Sequence, residues 1–438
     1  MSDDTKHPTN TTDHLDRRKF IGAAAATTGL MFVNPNLVRG TAANSAVRVG
    51  LLGCGGRGTE DATNLVDTGG ARVVALADMF QDQLDAAHAN FDKLQQAKGF
   101  SAIDAAQLFV GPNAFHEIAA SKDVDAIVVA TPPYFHPQHL EAVVSAAKHV
   151  YLEKPVAVDV PGAKKVIDIG KRAEGKLSLD VGFQIRDCPP FVEMVRRIHA
   201  GALGKIACGE AYYLSGYLDR PAWPNATPAG RRLRNWVYDR VLSGDIIVEQ
   251  NIHVIDICNW ILQSHPLKAS ATGSRLGRPA NDGDVYGNYN AVFQYPDGVD
   301  VTFSSTQFAK GWWDVTERFF GTKGVSQSPY RGPLGIWGDE PWQWEAPKPK
   351  DAGATDQGFS ATGKFTSNLE QADPEKKKAF VESIIGGKFH NQAAKGAESA
   401  LSCMMARSAA YTGREVTWDE LMKSTEVYDP KIDLKKLR

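Results

Sequence analysis

The stretch that most restricts the fold is a short β-branched and apolar run, Val47 to Leu52, that leads directly into Gly53-Cys54-Gly55-Gly56-Arg57-Gly58. A strand followed by G-x-G-x-x-G predicts a dinucleotide-binding turn. Gly53 permits the tight turn, Gly55 lets backbone approach a pyrophosphate, and Gly58 lets the following helix, about 58 to 68, pack closely with its N-terminal amides towards the phosphates. A second strand, 72 to 77, ends in Asp78, twenty residues past Gly58. A carboxylate there accepts hydrogen bonds from the adenosine ribose hydroxyls and repels a 2'-phosphate, so NAD is expected rather than NADP. The cofactor set read from this stretch is Gly53, Cys54, Gly55, Gly56, Arg57, Gly58 and Asp78.

Residues 124 to 130 read as a buried parallel strand with Thr131-Pro132-Pro133-Tyr134-Phe135-His136 at its carboxyl end, where such folds bind cofactors. A helix from 137 to about 148 precedes the strand His149 to Leu152, which closes in Glu153-Lys154-Pro155. Thr131, Pro132, His136, Glu153 and Lys154 therefore join the cofactor set. His136 and His139 have no adjacent carboxylate or cysteine cluster, so no metal is expected.

Further along stand Val181-Gly182-Phe183-Gln184-Ile185-Arg186 and Gly244-Asp245, with His253 and Asp256 after them. In order and spacing these pieces, across most of 47 to 415, resemble the Gfo/Idh/MocA oxidoreductases. The resemblance implies an α/β fold: an N-terminal Rossmann domain joined to a C-terminal α/β domain whose large open sheet forms the substrate cleft and commonly the oligomer interface. It implies by position that Lys154 sits beside the nicotinamide and the reacting carbon, and that His253 is the general acid/base. An Asp is typical four residues before that His; Glu249 stands there in this chain. The run 243 to 260 reads as one helix with Glu249, His253 and Asp256 on one side. Arg186, Trp236, Glu249 and His253 are the candidate substrate contacts, and Lys154, His253 and Glu249 the candidate catalytic groups.

Residues 215 to 242 read as an irregular cleft-lining loop. Strand-like runs near 268–274, 285–295, 299–308 and 314–320 suggest a mostly antiparallel sheet. Residues 325 to 370, rich in Pro, Gly and Trp, read as a long irregular insertion, and 374–386 and 393–411 as helices. The chain has 438 residues and a net charge of -2, with no bulk positive charge to attract nucleic acid or an anionic membrane. Its five scattered cysteines are neither a disulfide framework nor a zinc site. Before the first strand, Arg17-Arg18-Lys19-Phe20 and the modestly apolar stretch Ile21 to Val33 look like a twin-arginine export signal, too short and weak for a stable membrane anchor.

The domain expectation is thus 1–46 signal and linker, 47–185 NAD-binding Rossmann domain, and 186–438 substrate and oligomerisation domain. The functional expectation is an exported, periplasmic NAD-dependent oxidoreductase acting on a sugar or polyol hydroxyl. Its expected partners are the twin-arginine translocase and further copies of itself in a homo-oligomer. Two rivals remain: a glycoside hydrolase or isomerase that oxidises transiently with tightly held NAD, and a non-catalytic sugar-binding protein on the same scaffold.

Overall fold

The computed structural model describes residues 46–280, 282–345 and 367–437. Of the expected signal and linker, 1–46, residues 1–45 lie outside them, as does 346–366 of the expected insertion.

The first sheet is built from β1 (Val47–Leu52), β2 (Ala71–Asp78), β3 (Leu108–Val110), β4 (Ala126–Val129), β5 (His149–Leu152) and β6 (Leu179–Val181). Helices α1 (Gly56–Asp67), α2 (Gln81–Ala97), α3 (Ala114–Ala120), α4 (His136–Ser145) and α5 (Val160–Ala173) connect them. All pairings are parallel, in the order β3-β2-β1-β4-β5-β6. Parallel strands are covered on both faces, which is why β4 reads Ala-Ile-Val-Val with every residue buried. The chain reverses direction across the sheet between β1 and β4, and the crevice at their carboxyl ends is where such sheets take ligands.

After α6 (Pro189–His199) comes β7 (Ile206–Leu214), the start of a nine-stranded sheet. The loop expected at 215–242 is partly helical, with α7 (Pro228–Arg234), a 3-10 turn at Trp236–Tyr238 and α8 (Arg240–Ser243). The single helix expected at 243–260 is two: α9 (Ile246–Glu249) and α10 (Ile252–Leu262). The Asn251 N–H reaches back five residues to the Ile246 carbonyl, so the four-residue ladder is not continued there.

The remaining strands are β8 (Lys268–Ser274), β9 (Asn288–Gln294), β10 (Asp300–Thr306), β11 (Asp314–Gly321), β12 (Gly324–Gln327), β13 (Leu334–Gly338), β14 (Trp342–Trp344) and β15 (Val416–Thr417). Their order is β14-β13-β12-β11-β7-β10-β9-β8-β15, antiparallel except for the β7–β10 pair. Residues 324–344 are therefore sheet, where irregular chain was expected. Alternation sets the faces. Tyr289, Ala291 and Phe293 of β9 are buried, while Val292 is exposed. Helices α10 and α12 (Ala393–Thr412) pack against this sheet, α12 chiefly on β8 and α10 on β7 and β11.

Helix α11 (Ala372–Gly386) crosses the expected division at 185/186. Phe380, fully buried, and Val381 join Val49, Leu51, Val73 and Tyr151 in the core of the first sheet. Burying one such phenylalanine contributes about 1.5–3 kcal/mol. The short α13 (Trp418–Leu421) follows β15.

Candidate active site

The glycine turn is sterically obligatory. Gly53 has φ +99°, and a Cβ on it would lie 2.6 Å from the Ala130 carbonyl oxygen. A Cβ on Gly58 would overlap the Gly53 carbonyl oxygen, whereas over Gly55 and Gly56 nothing lies within 4 Å. The loop thus presents open space above its backbone, as a pyrophosphate requires. At the end of β2 both Asp78 oxygens are held, Oδ2 accepting from the Cys54 N–H at 2.7 Å and Oδ1 from the Phe80 N–H at 2.8 Å. Burial raises its pKa, and the two N–H groups oppose the rise. These residues fit an NAD whose ribose meets Asp78.

At the end of β5 the Lys154 ammonium donates to the Glu249 carbonyl at 2.7 Å and to its carboxylate at 3.1 Å. Glu249 and His253 sit on separate helices, α9 and α10, and it is Lys154 that Glu249 grips. His253 is buried, with Phe183 set edge-on at 6.2 Å between ring centroids. Its Nδ1 has no hydrogen-bond partner among the described residues. Burial first, then the Lys154 and Arg57 charges, push its pKa well below the ordinary histidine value, so the ring is neutral. A neutral ring with an unpaired nitrogen is a proton acceptor.

His136 braces the turn from behind, its Nδ1 2.7 Å from the Pro155 carbonyl and its Nε2 2.7 Å from the Thr131 carbonyl. Burial lowers its pKa to about 4, so it is neutral and donates to one carbonyl at a time. Thr131 Oγ1 meets His139 Nδ1 at 2.9 Å, and Pro132 leads into a 3-10 turn at Pro133–Phe135.

Four predicted contacts have other occupations. Arg57 turns its side chain away from the loop and pairs with Asp61, Glu153 and Asp373. Glu153 is that pair's acceptor, also receiving the Lys154 N–H at 3.0 Å. Arg186 is committed to Asp256 by two bonds of 2.8 and 2.9 Å and lies over the Trp260 ring. Asp256 is thus taken by Arg186 and Ser399 and does not share a face with Glu249. Trp236 packs partly buried among Phe135, Leu233 and Leu242.

Around Phe80, two residues past Asp78, side chains from distant parts of the chain come together. Arg234 of α7 stacks on Phe80 at 3.8 Å and on Trp223 at 4.4 Å and pairs with Asp82. Ile432, Leu434 and Leu437 pack with Met79, Phe80, Tyr134 and Phe135 in one apolar cluster. An arginine and scattered apolar residues so far from the glycine turn give no local signal of this.

Comparison with known proteins agrees with this geometry. Residues 47–181 match the family model described as oxidoreductase family, NAD-binding Rossmann fold, and 191–327 match the GFO/IDH/MocA C-terminal domain. An inositol 2-dehydrogenase of Rhizobium meliloti is 26% identical over 293 residues, 66% of this chain and 78% of that protein. A glycosyl hydrolase family 109 protein of Streptomyces niveus is 30% identical over 172 residues, 39% of this chain and 33% of that protein. Among solved structures, the aldose-aldose oxidoreductase of Caulobacter crescentus complexed with glycerol shares the fold, with TM-score 0.65 at 20% identity over 85% of this chain and 99% of that one. Levoglucosan dehydrogenase complexed with NADH and levoglucosan gives the same four values.

Proposed function

The chain belongs to the Gfo/Idh/MocA family of NAD-binding oxidoreductases, and from that premise we propose that it exchanges hydride between a sugar or polyol hydroxyl and NAD. NAD, when bound, supplies a hydride acceptor. The observation that carries the proposal is a neutral, buried His253 whose Nδ1 lacks a partner among the described residues, together with a Lys154 ammonium that spends two of its three hydrogens on Glu249. The third hydrogen donates to the substrate oxygen and stabilises alkoxide character as the C–H bond breaks. His253 accepts the hydroxyl proton while the hydride leaves, so a secondary alcohol becomes a ketone. Glu249 takes the role of holding Lys154 rather than of orienting the histidine.

The test is absorbance at 340 nm with NAD and a panel of inositols, aldoses and alditols. His253→Asn and Lys154→Met should each lower kcat by about 10²–10⁴-fold. If the folded protein binds no NAD in calorimetry, the reading is lost.

A second reading has its own support. The apolar cluster of Phe80, Tyr134, Phe135, Ile432, Leu434 and Leu437 suits a cofactor that stays bound, and the Streptomyces niveus relative carries a hydrolase name. In that cycle the hydride taken from the sugar is returned after a substituent is eliminated, and the net reaction is hydrolysis or isomerisation. Turnover of a glycoside without added NAD and without net change at 340 nm distinguishes it.

Export through the twin-arginine route is part of the same proposal, since a cofactor retained in a folded protein crosses with it. Replacing Arg17 and Arg18 with Ala should hold the protein inside the cell. The exposed face of the nine-stranded sheet, with Val292 and Phe320, is the proposed surface of self-association, to be checked by light scattering.

A further inference from the structure

Beneath the Glu153-Lys154 turn lies a group of five charged side chains, four of them buried and Arg57 partly so, drawn from three distant parts of the chain. Arg57 and Asp61 come from α1, Glu153 follows β5, and Asp373 and Lys377 come from α11. Asp61 and Lys377 are fully buried, and Glu153 and Asp373 nearly so. The Arg57 guanidinium gives Nε to Glu153 at 3.0 Å and its two terminal nitrogens to Asp373 at 3.0 and 2.8 Å. Lys377 closes the far side, reaching Asp61 at 2.6 Å, Asp373 at 2.9 Å and the Tyr151 hydroxyl at 2.8 Å. Glu153 in turn accepts the Lys154 N–H, and its carboxylate lies 2.5 Å from where a Gly182 Cβ would stand. It can therefore neither swing towards β6 nor leave Arg57 without losing a charged partner.

We propose that Lys377 and Asp373 are positioning residues for Lys154, holding Arg57 against Glu153 and so fixing the turn from which the Lys154 side chain projects. This rests on the reading of Lys154 as the catalytic ammonium. Buried ion pairs give little net stability over apolar residues of the same volume, so geometry is the better account of five of them under one turn. Three carboxylates face two cations, and burial, opposed by the Arg57 and Lys377 charges, pushes Asp61 up to about 7. Without Lys377, Asp373, which already takes two bonds from Arg57, has no other cation and draws the guanidinium from Glu153. A displacement of about 1 Å at a catalytic group costs on the order of a hundredfold in rate.

The experiment uses the full-length protein without substrate or NAD, so its outcome is independent of whether Lys154 is catalytic. Lys377→Met leaves three buried carboxylates on the single cation Arg57. The charge-balanced pair Lys377→Met with Asp61→Asn removes one cation and one acid together and keeps the fold testable. Trace acetylation with acetic anhydride, read by peptide mass spectrometry, compares Lys154 with Lys376, a buried lysine of α11 held by Asp180, Asp187 and Gln392. We expect Lys154 to be acetylated about tenfold faster in the paired variant, with Lys376 unchanged and with Asp61→Asn alone at the wild-type rate. An unchanged Lys154, or Lys154 and Lys376 rising together as general loosening would produce, overturns the proposal.

Discussion

Asp78→Asn isolates what the end of β2 contributes. Both carboxylate oxygens accept a backbone N–H, from Cys54 and from Phe80. An amide has one acceptor oxygen, so one of these donors must face an NH2 group. The amide will turn to spare the buried Cys54 N–H and leave the less buried Phe80 N–H unpaired. A lost charge-assisted bond costs about 1.5–3 kcal/mol and an orphaned donor about 1–3 kcal/mol. Relief of the burial that raises Asp78's pKa works in the other direction, and about 2–3 kcal/mol remains as the net loss. For a unit spanning Ala46–Arg438, at about 2 cal/mol/K of unfolding entropy per residue, this lowers Tm by about 2–4 °C. The larger effect is on the ligand. Losing the charged acceptor for the ribose hydroxyls weakens NAD by about 10- to 150-fold, while the 2'-phosphate of NADP is no longer repelled. Scanning fluorimetry of the free protein and calorimetry with both nucleotides measure the two effects. NAD affinity within twofold of wild type, with the NAD preference intact, would refute the placement of the ribose at Asp78.

Other outcomes follow from the same structure. Gly58→Ala forces a methyl into the Gly53 carbonyl, which should cost about 1–3 kcal/mol by urea titration and abolish NAD binding by calorimetry. The pKa of His390, half-exposed, is raised chiefly by its hydrogen bond to Asp180. A raised histidine binds its proton more tightly in the folded state, so its stabilisation is complete below the ordinary value of about 6.5 and is lost as pH rises through the higher folded one. Urea midpoints should therefore fall above neutrality, and less so in His390→Asn. Replacing Ile432, Leu434 and Leu437 with Ser opens the cluster beside Phe80, and stopped-flow fluorescence should show NADH leaving about tenfold faster or more, the equivalent of about 1.4 kcal/mol.

What could be read from the chain, and what could not, divides by the range of the interaction. The glycine turn, Asp78 and the parallel strands are local: backbone clearance demands glycine, and burial on both faces demands unbroken apolar runs such as Ala126–Val129. Lys154 and His253 were placed by motif, and in the structure Lys154 meets Glu249, four positions before His253. The break at Gln250-Asn251 was invisible because Glu249 and His253 keep a four-residue spacing whether or not the helix continues. Arg57 read as part of the loop because its partner Asp373 lies 316 positions away. The run Glu375-Lys376-Lys377-Lys378 looks like a solvated helix face, yet Lys376 and Lys377 are fully buried among acids supplied by other elements. Strands 324–344 escaped notice because their Gly, Pro and Trp content matches that of a loop.

Helix α11 also sets a timetable. The first sheet lacks Phe380, Val381 and the Asp373 and Lys377 partners of Arg57 and Asp61 until the ribosome has moved more than 316 residues beyond Arg57. At about 5–20 residues per second that takes about 15–60 s. Through that interval the emerging half must keep an uncovered apolar surface and an incomplete charge network from finding the wrong partners. A fragment ended near residue 185 would never leave that state, so the dinucleotide half should be insoluble as a separate piece and gain its shape only when the chain is nearly finished.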